Sequence, residues 1–124
     1  EIVWQIAHGE TPDFVSNHPA LQGLEIPRTG RPGGAGGSSG GIGTLTTKTL
    51  VISGEGGVFT NSAGERGAML RAYDKATGEE KGAVYIPAAQ TGSPMTYMHD
   101  GQQYIVLAVG GGVRQGELIG FRLP

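Results

Sequence analysis

Cysteine is absent from the 124 residues. That excludes a disulfide framework and any thiolate metal site. Charge is scarce as well. Charged residues make up 16%, with nine Lys and Arg against eleven Asp and Glu, for a formal net charge of -2. The basic residues form no stripe, so there is no electrostatic footprint for nucleic acid or for an anionic membrane surface. No apolar run approaches the roughly 18 residues of a membrane-spanning helix. The opening residues show no signal-peptide pattern either. No segment holds a helical period over three turns. These absences argue against a helical, disulfide-stapled, membrane-spanning or nucleic-acid-binding protein.

Glycine is what the chain has in excess, 24 residues of 124, where the usual share is about 7%. Short β-prone runs lie between the glycines. They cover residues 42–47, 49–54, 68–74, 82–87, 93–98, 102–109 and 116–124. The stretch "TGSPMTYMHDGQQYIVLAVGG" (91–111) is the clearest of these. Asp100-Gly101 between two such runs predicts a tight hairpin, because glycine accepts the positive φ of a primed turn. Many short strands with regular turns read as an all-β sandwich, barrel or propeller.

The first third differs. Residues 1–7, "EIVWQIA", alternate as a strand does. Residues 8–41 form a long Gly/Pro-rich loop with four of the seven prolines, and His18-Pro19-Ala20-Leu21 predicts one short helical turn within it. Loops beyond about 12–15 residues are uncommon in compact domains and are usually functional or disordered. An internal repeat is visible as well. "ATGEEKGAVYIP" places a strand after Thr-Gly-Glu, and Glu1 to Ala7 resemble the same element, with Glu1 aligned to Glu79 and Trp4 to Gly82. Chance similarity is the alternative reading of so short a match.

Several constellations invite chemistry. His8, Glu10, Asp13 and His18 carry metal-ligand groups, but their spacing matches no zinc pattern. "RPGGAGGSSGGIG" lacks the Gly-Lys-Ser/Thr of a phosphate loop. His99-Asp100 sits in a turn, where adjacent side chains point apart and Asp100 serves the turn itself. Glu65 and Arg66 read as water-facing loop residues, and Trp4 and Tyr85 as packing aromatics. No catalytic residue and no metal ligand follows from these patterns.

Two stretches do more than suggest a class. "LRAYDKATGEE" and "PAAQTGSPMTYMHDGQQYIVLAVGG" resemble the C-terminal end of the PQQ-dependent quinoprotein alcohol and sugar dehydrogenases. Ala72, Asp74, Thr77 and Gly78 match that family's A-x-D-x-x-T-G blade motif. A tryptophan four residues past the glycine docks on the next blade in that motif. Trp4 keeps it in the earlier copy, and Gly82 replaces it in the later one. The P-M-T-Y hairpin (Pro94, Met95, Thr96, Tyr97, Gln103, Tyr104) and the ending "GELIGFRLP" are similar too.

The resemblance implies a partial β-propeller, about two four-stranded blades of an eight-bladed quinoprotein propeller. Residues 1–7 would be the last strand of a preceding blade, 42–87 a full blade, and 93–124 three strands of the final blade. It implies a periplasmic enzyme that oxidises alcohols or sugars by hydride transfer to PQQ, held with calcium in the complete enzyme. The cofactor-side positions would be Ser39, Gly40 and Gly41, where the family has Trp-Gly-Gly, together with Thr91, Gly92 and Ser93. Gly112 would lie on the substrate side, where glucose-oxidising members have histidine. The family's catalytic and calcium-binding motifs come from upstream blades, so this chain alone is expected to bind neither PQQ nor calcium and to be inactive. Its partners would be the remaining blades. The alternative is a non-catalytic structural or binding module that assembles edge to edge with itself or a partner, four copies giving eight blades.

Overall fold

The computed structural model describes residues 1–30, 42–111 and 113–124. Among the described residues, eight strands form two antiparallel sheets. In the first sheet, β1 (Leu45–Thr46) pairs with β2 (Leu50–Gly54), and β2 pairs with one edge of β4 (Arg66–Asp74). A two-residue strand, β3 (Phe59–Thr60), continues that edge, and β5 (Glu80–Ile86) pairs with the other. The second sheet is a meander of β6 (Met95–His99), β7 (Gln102–Gly111) and β8 (Arg114–Arg122). The chain is therefore all-β, with two open sheets in succession.

Strand alternation decides which residues meet. In β4, Ala68 and Leu70 point to one side, and Arg71 and Tyr73 to the other. Ala68 and Leu70 join Ile52, Ile86 and Ala88 against Ile105, Leu107 and Val109 of β7. The core is thus the layer between the two sheets. The sheets diverge toward β5. Val84 lies on the core-facing side, paired with Leu70, yet it is exposed. A Cβ at Gly82 would meet nothing within contact range. Inner strands in contact and outer strands parted is the wedge of neighbouring propeller blades.

The opposite face of the first sheet is covered by residues 1–30. This segment holds one helical turn, α1 (Asp13–Ser16), and a 3-10 turn at Pro19–Leu21. The latter lies where His18-Pro19-Ala20-Leu21 predicts it, and His18 caps it by accepting from the Ala20 N–H. Residues 1–7, expected as a strand, have no ladder partner within the described chain.

The Asp-Gly hairpin is present. Asp100 (φ 49°) and Gly101 (φ 74°) both take positive φ, as a type I′ turn requires. Tyr97 and Tyr104 stack across it with ring centroids 5.2 Å apart.

Candidate functional site

The innermost segment of the second sheet is interrupted where the cofactor-side residues were expected. Gln90 bridges Val109, and Met95 pairs with Val106. Four residues, Thr91 to Pro94, therefore stand opposite the two residues Leu107 and Ala108. The ladder holds at Thr91, whose N–H donates to the Ala108 carbonyl at 2.9 Å. Gly92 (φ 86°) and Ser93 then leave it as a bulge. Bulges re-aim side chains and recur beside active sites. Thr91, Gly92 and Ser93 are all exposed on this bulge. Ser39, Gly40, Gly41 and Gly112 lie outside the described residues.

The bulge touches the neighbouring sheet. The Gly43 N–H, just before β1, donates to the Gly92 carbonyl at 3.3 Å. Any side chain at Gly43 would collide with Ser93. The starts of the two inner strands are thereby held together.

Behind the bulge sits Gln90, which is 5% exposed. Its Nε2 donates to the Gly43 carbonyl at 2.8 Å and to the Gly92 carbonyl at 2.6 Å. Its Oε1 accepts from the Gly54 N–H at 2.6 Å. The sequence carries no signal for this residue. A glutamine after Ala-Ala reads as a polar loop residue, and its three partners are distant in the chain or flanking glycines.

On the other face of the first sheet, Arg71 is 3% exposed and Glu55 is 2% exposed, joined Nε to Oε1 at 2.9 Å. Arg71 also donates from Nη1 to both oxygens of Glu80, at 3.0 and 3.1 Å, and from Nη2 to Glu10. Burial by itself would lower the Arg71 pKa, but the Glu55 bond and the charges of Glu55 and Glu80 outweigh it and raise it above the usual value. Arg28 donates to Glu80 at 2.9 Å. Burial works to raise the Glu80 pKa, yet Arg28 and Arg71 hold it below the usual value.

The metal-ligand types in the loop are separated by this packing. His8 lies between the Tyr73 hydroxyl (2.9 Å) and the Gly54 carbonyl (3.2 Å). Glu10 is on Arg71, His18 caps its own turn, and Asp13 accepts from Thr60 and from Arg66. Among the described residues no three His, Asp or Glu side chains converge on one point. His99 and Asp100 are 3.4 Å apart on an exposed turn. An open, largely apolar groove lies along Ala7, His8, Pro12, Phe14 and Val15, away from the Thr91–Ser93 bulge.

The A-x-D-x-x-T-G element forms the β4–β5 turn. Asp74 Oδ1 accepts from the N–H groups of Ala76 and Thr77, at 2.8 and 3.0 Å, which holds its pKa below the usual value. Gly78 takes φ 75°. Trp4 docks on this turn, its indole N–H donating to the Lys75 carbonyl at 2.9 Å.

Comparison with known proteins agrees with this geometry. Residues 1–105 match the family described as "PQQ: Glucose/ethanol/alcohol dehydrogenase, beta-propeller domain". The chain is 37% identical over 60 residues to the quinoprotein glucose dehydrogenase of Escherichia coli K12, covering 44% of this chain and 8% of that protein. It is 33% identical over 70 residues to the glycerol dehydrogenase large subunit of Gluconobacter thailandicus, covering 56% and 9%. It is 41% identical over 51 residues to a probable quinate dehydrogenase (quinone) of Xanthomonas campestris pv. juglandis, covering 40% and 6%. The chain thus spans less than a tenth of the length of each of these curated relatives. No solved structure matches it. With a match across most of its length and open, wedge-packed sheets, the chain belongs to the PQQ glucose/ethanol/alcohol dehydrogenase β-propeller family.

Proposed function

We propose that this chain is the C-terminal, two-blade segment of a periplasmic PQQ-dependent dehydrogenase that oxidises alcohols or sugars. The observation that carries the reading is the bulge at Gly92-Ser93, which leaves the inner strand and abuts the start of the neighbouring inner strand at Gly43. It offers two hydroxyls and unhindered backbone to whatever lies at the propeller axis.

The described residues fit PQQ as one wall. Thr91 and Ser93 supply hydroxyl donors and acceptors, and Gly92 lets a flat ring approach the backbone. When bound, PQQ supplies the electron sink that takes up hydride from the alcohol carbon. The described residues do not fit calcium, because no cluster of carboxylate ligands converges. Calcium and the catalytic base belong to the upstream blades in this reading. The role of these residues is to shape and dry the wall of the channel.

Titration of the purified chain with PQQ and calcium, followed by dye reduction with alcohols and sugars, tests the division of labour. No turnover by the chain, and turnover by the propeller that contains it, is expected. Turnover by the 124 residues alone would overturn the assignment of catalysis to upstream blades.

Exposed apolar surface favours a second reading, edge-to-edge assembly of copies. Leu118 is 77% exposed, and with Met95 and Tyr97 it occupies the outer face of the second sheet. Ile2 and Val3 are exposed and have no ladder partner among the described residues. In this reading residues 2–6 of one copy complete the β8 edge of the next. Light scattering separates the two, since a monomer at all concentrations removes the ring.

A further inference from the structure

We infer that Gln90 is a positioning residue for the cofactor-side bulge. The inference rests on the proposed reading of Thr91–Ser93 as a wall of the PQQ site. Three observations carry it. The Gln90 amide is buried, and both of its Nε2 hydrogens are spent on carbonyls from different sheets, Gly43 and Gly92. Its Oε1 is spent on the Gly54 N–H at the end of β2. Each of these partners is a glycine, and at two of them no side chain would fit. A Cβ on Gly54 would lie 2.6 Å from Gln90 Oε1, and one on Gly43 would strike Ser93.

The backbone of Gln90 is fixed as well. Its N–H donates to the Glu55 carbonyl at 2.8 Å, and the residue bridges Val109. The side chain is thus a rod of set length, anchored at its base and fixed at its tip. The tip determines how far apart the Gly43 and Gly92 carbonyls stand. Gly92 is the first residue to leave the ladder, so its carbonyl direction sets where Ser93 and the exposed face of the bulge point. Gln90 touches no substrate or cofactor itself. It acts through the bulge.

Carboxylate chemistry separates this role from simple bulk. Gln90→Glu keeps the shape but replaces two donors by an ionised acceptor facing two carbonyls. Repulsion pushes the Gly92 carbonyl away at neutral pH. Protonation of the new carboxyl restores one donor, so part of the defect reverses as pH falls. Gln90→Met keeps the volume, loses all three bonds, and has no such pH dependence.

The experiment uses the complete propeller carrying this segment, prepared without PQQ and titrated with PQQ by intrinsic fluorescence at a temperature where circular dichroism shows each variant folded. Wild-type protein is expected to bind PQQ. Gln90→Glu and Gln90→Met are expected to raise the PQQ Kd by about tenfold at pH 7. The Gln90→Glu value recovers several-fold by about pH 5, as a carboxyl with a raised pKa in a buried site would dictate, and the Gln90→Met value does not. Gly92→Ala, which strains the bulge at φ 86° without touching Gln90, reproduces the loss and stands in should the Gln90 variants fail to fold. Unchanged PQQ affinity in folded Gln90 or Gly92 variants overturns the positioning role alone. A wild-type propeller that binds no PQQ overturns the proposed function on which that role rests.

Discussion

The indole N–H of Trp4 donates to the Lys75 carbonyl at 2.9 Å while the ring lies over Gly78. A Cβ on Gly78 would come within 2.8 Å of the ring. Trp4 and the Asp74–Gly78 turn are therefore two halves of one joint.

Trp4→Ala removes a half-buried aromatic and its hydrogen bond. A loss of about 2–3 kcal/mol in the unfolding free energy is expected from the area and bond removed. Gly78→Ala forces a side chain into positive φ and against the indole, and about 1–2 kcal/mol is expected. Urea unfolding followed by far-UV circular dichroism measures both. If the two losses add in the double variant, the joint is not shared.

Gly82 is the matching position in the later copy, and a Cβ there would meet nothing within 4 Å. β6, β7 and β8 correspond to β1, β2 and β4, so the described residues hold no counterpart of the Asp74–Gly78 turn on which a tryptophan at position 82 could dock. Gly82→Trp is expected to leave the thermal midpoint within about 2 °C. A stabilisation above about 1 kcal/mol would mean that the second sheet does offer a docking surface.

Arg71→Met leaves Glu55 buried without its partner. A loss of about 3–5 kcal/mol is expected, as for other broken buried pairs. Adding Glu55→Gln removes the orphaned charge and is expected to restore at least about 1 kcal/mol. Chemical denaturation of the single and double variants provides the cycle.

The pH dependence follows from depressed carboxyls. Glu80 is pulled against burial below its usual 4.5 by Arg28 and Arg71. Asp13 is held below 3.8, first by the Thr60 N–H and then, against burial, by the Thr60 hydroxyl and Arg66. A folded pKa below the unfolded one means the unfolded chain takes up protons first as pH falls. Their stabilisation is complete above about pH 5 and is lost as pH drops through about 4.5 and on past the folded values. Thermal melts from pH 7 to 3 should be flat and then fall. Glu80→Gln with Asp13→Asn should shrink the fall, and an unchanged slope would exclude these two groups as its source.

Local chemistry made the strands, the Asp-Gly hairpin and the Asp74–Gly78 turn legible in the sequence, because each is set by residues adjacent in the chain. β3 escaped notice because Phe59–Thr60 is too short to show a period. Arg71 alternates with Leu70 and Ala72 as a water-facing residue does, and only the folding back of residues 8–30 buries it. Gln90 was missed for the same reason, since it bonds to glycines that the chain brings together from both sheets. The sequence reads Ser93 and Pro94 as the start of a strand, whereas the ladder begins at Met95 and the bulge is held by a contact with Gly43 that is remote in the chain.

Residues 1–30 give their side chains to one sheet, while the free ladder edge of residues 2–6 remains for another to claim. If residues 2–6 join a preceding blade, as proposed, the chain stitches across the boundary between sectors rather than stopping at it. Cooperative units of opening, as read by amide exchange, should then be offset from the sheets, each joining the face of one blade to the outer strand of the blade before it.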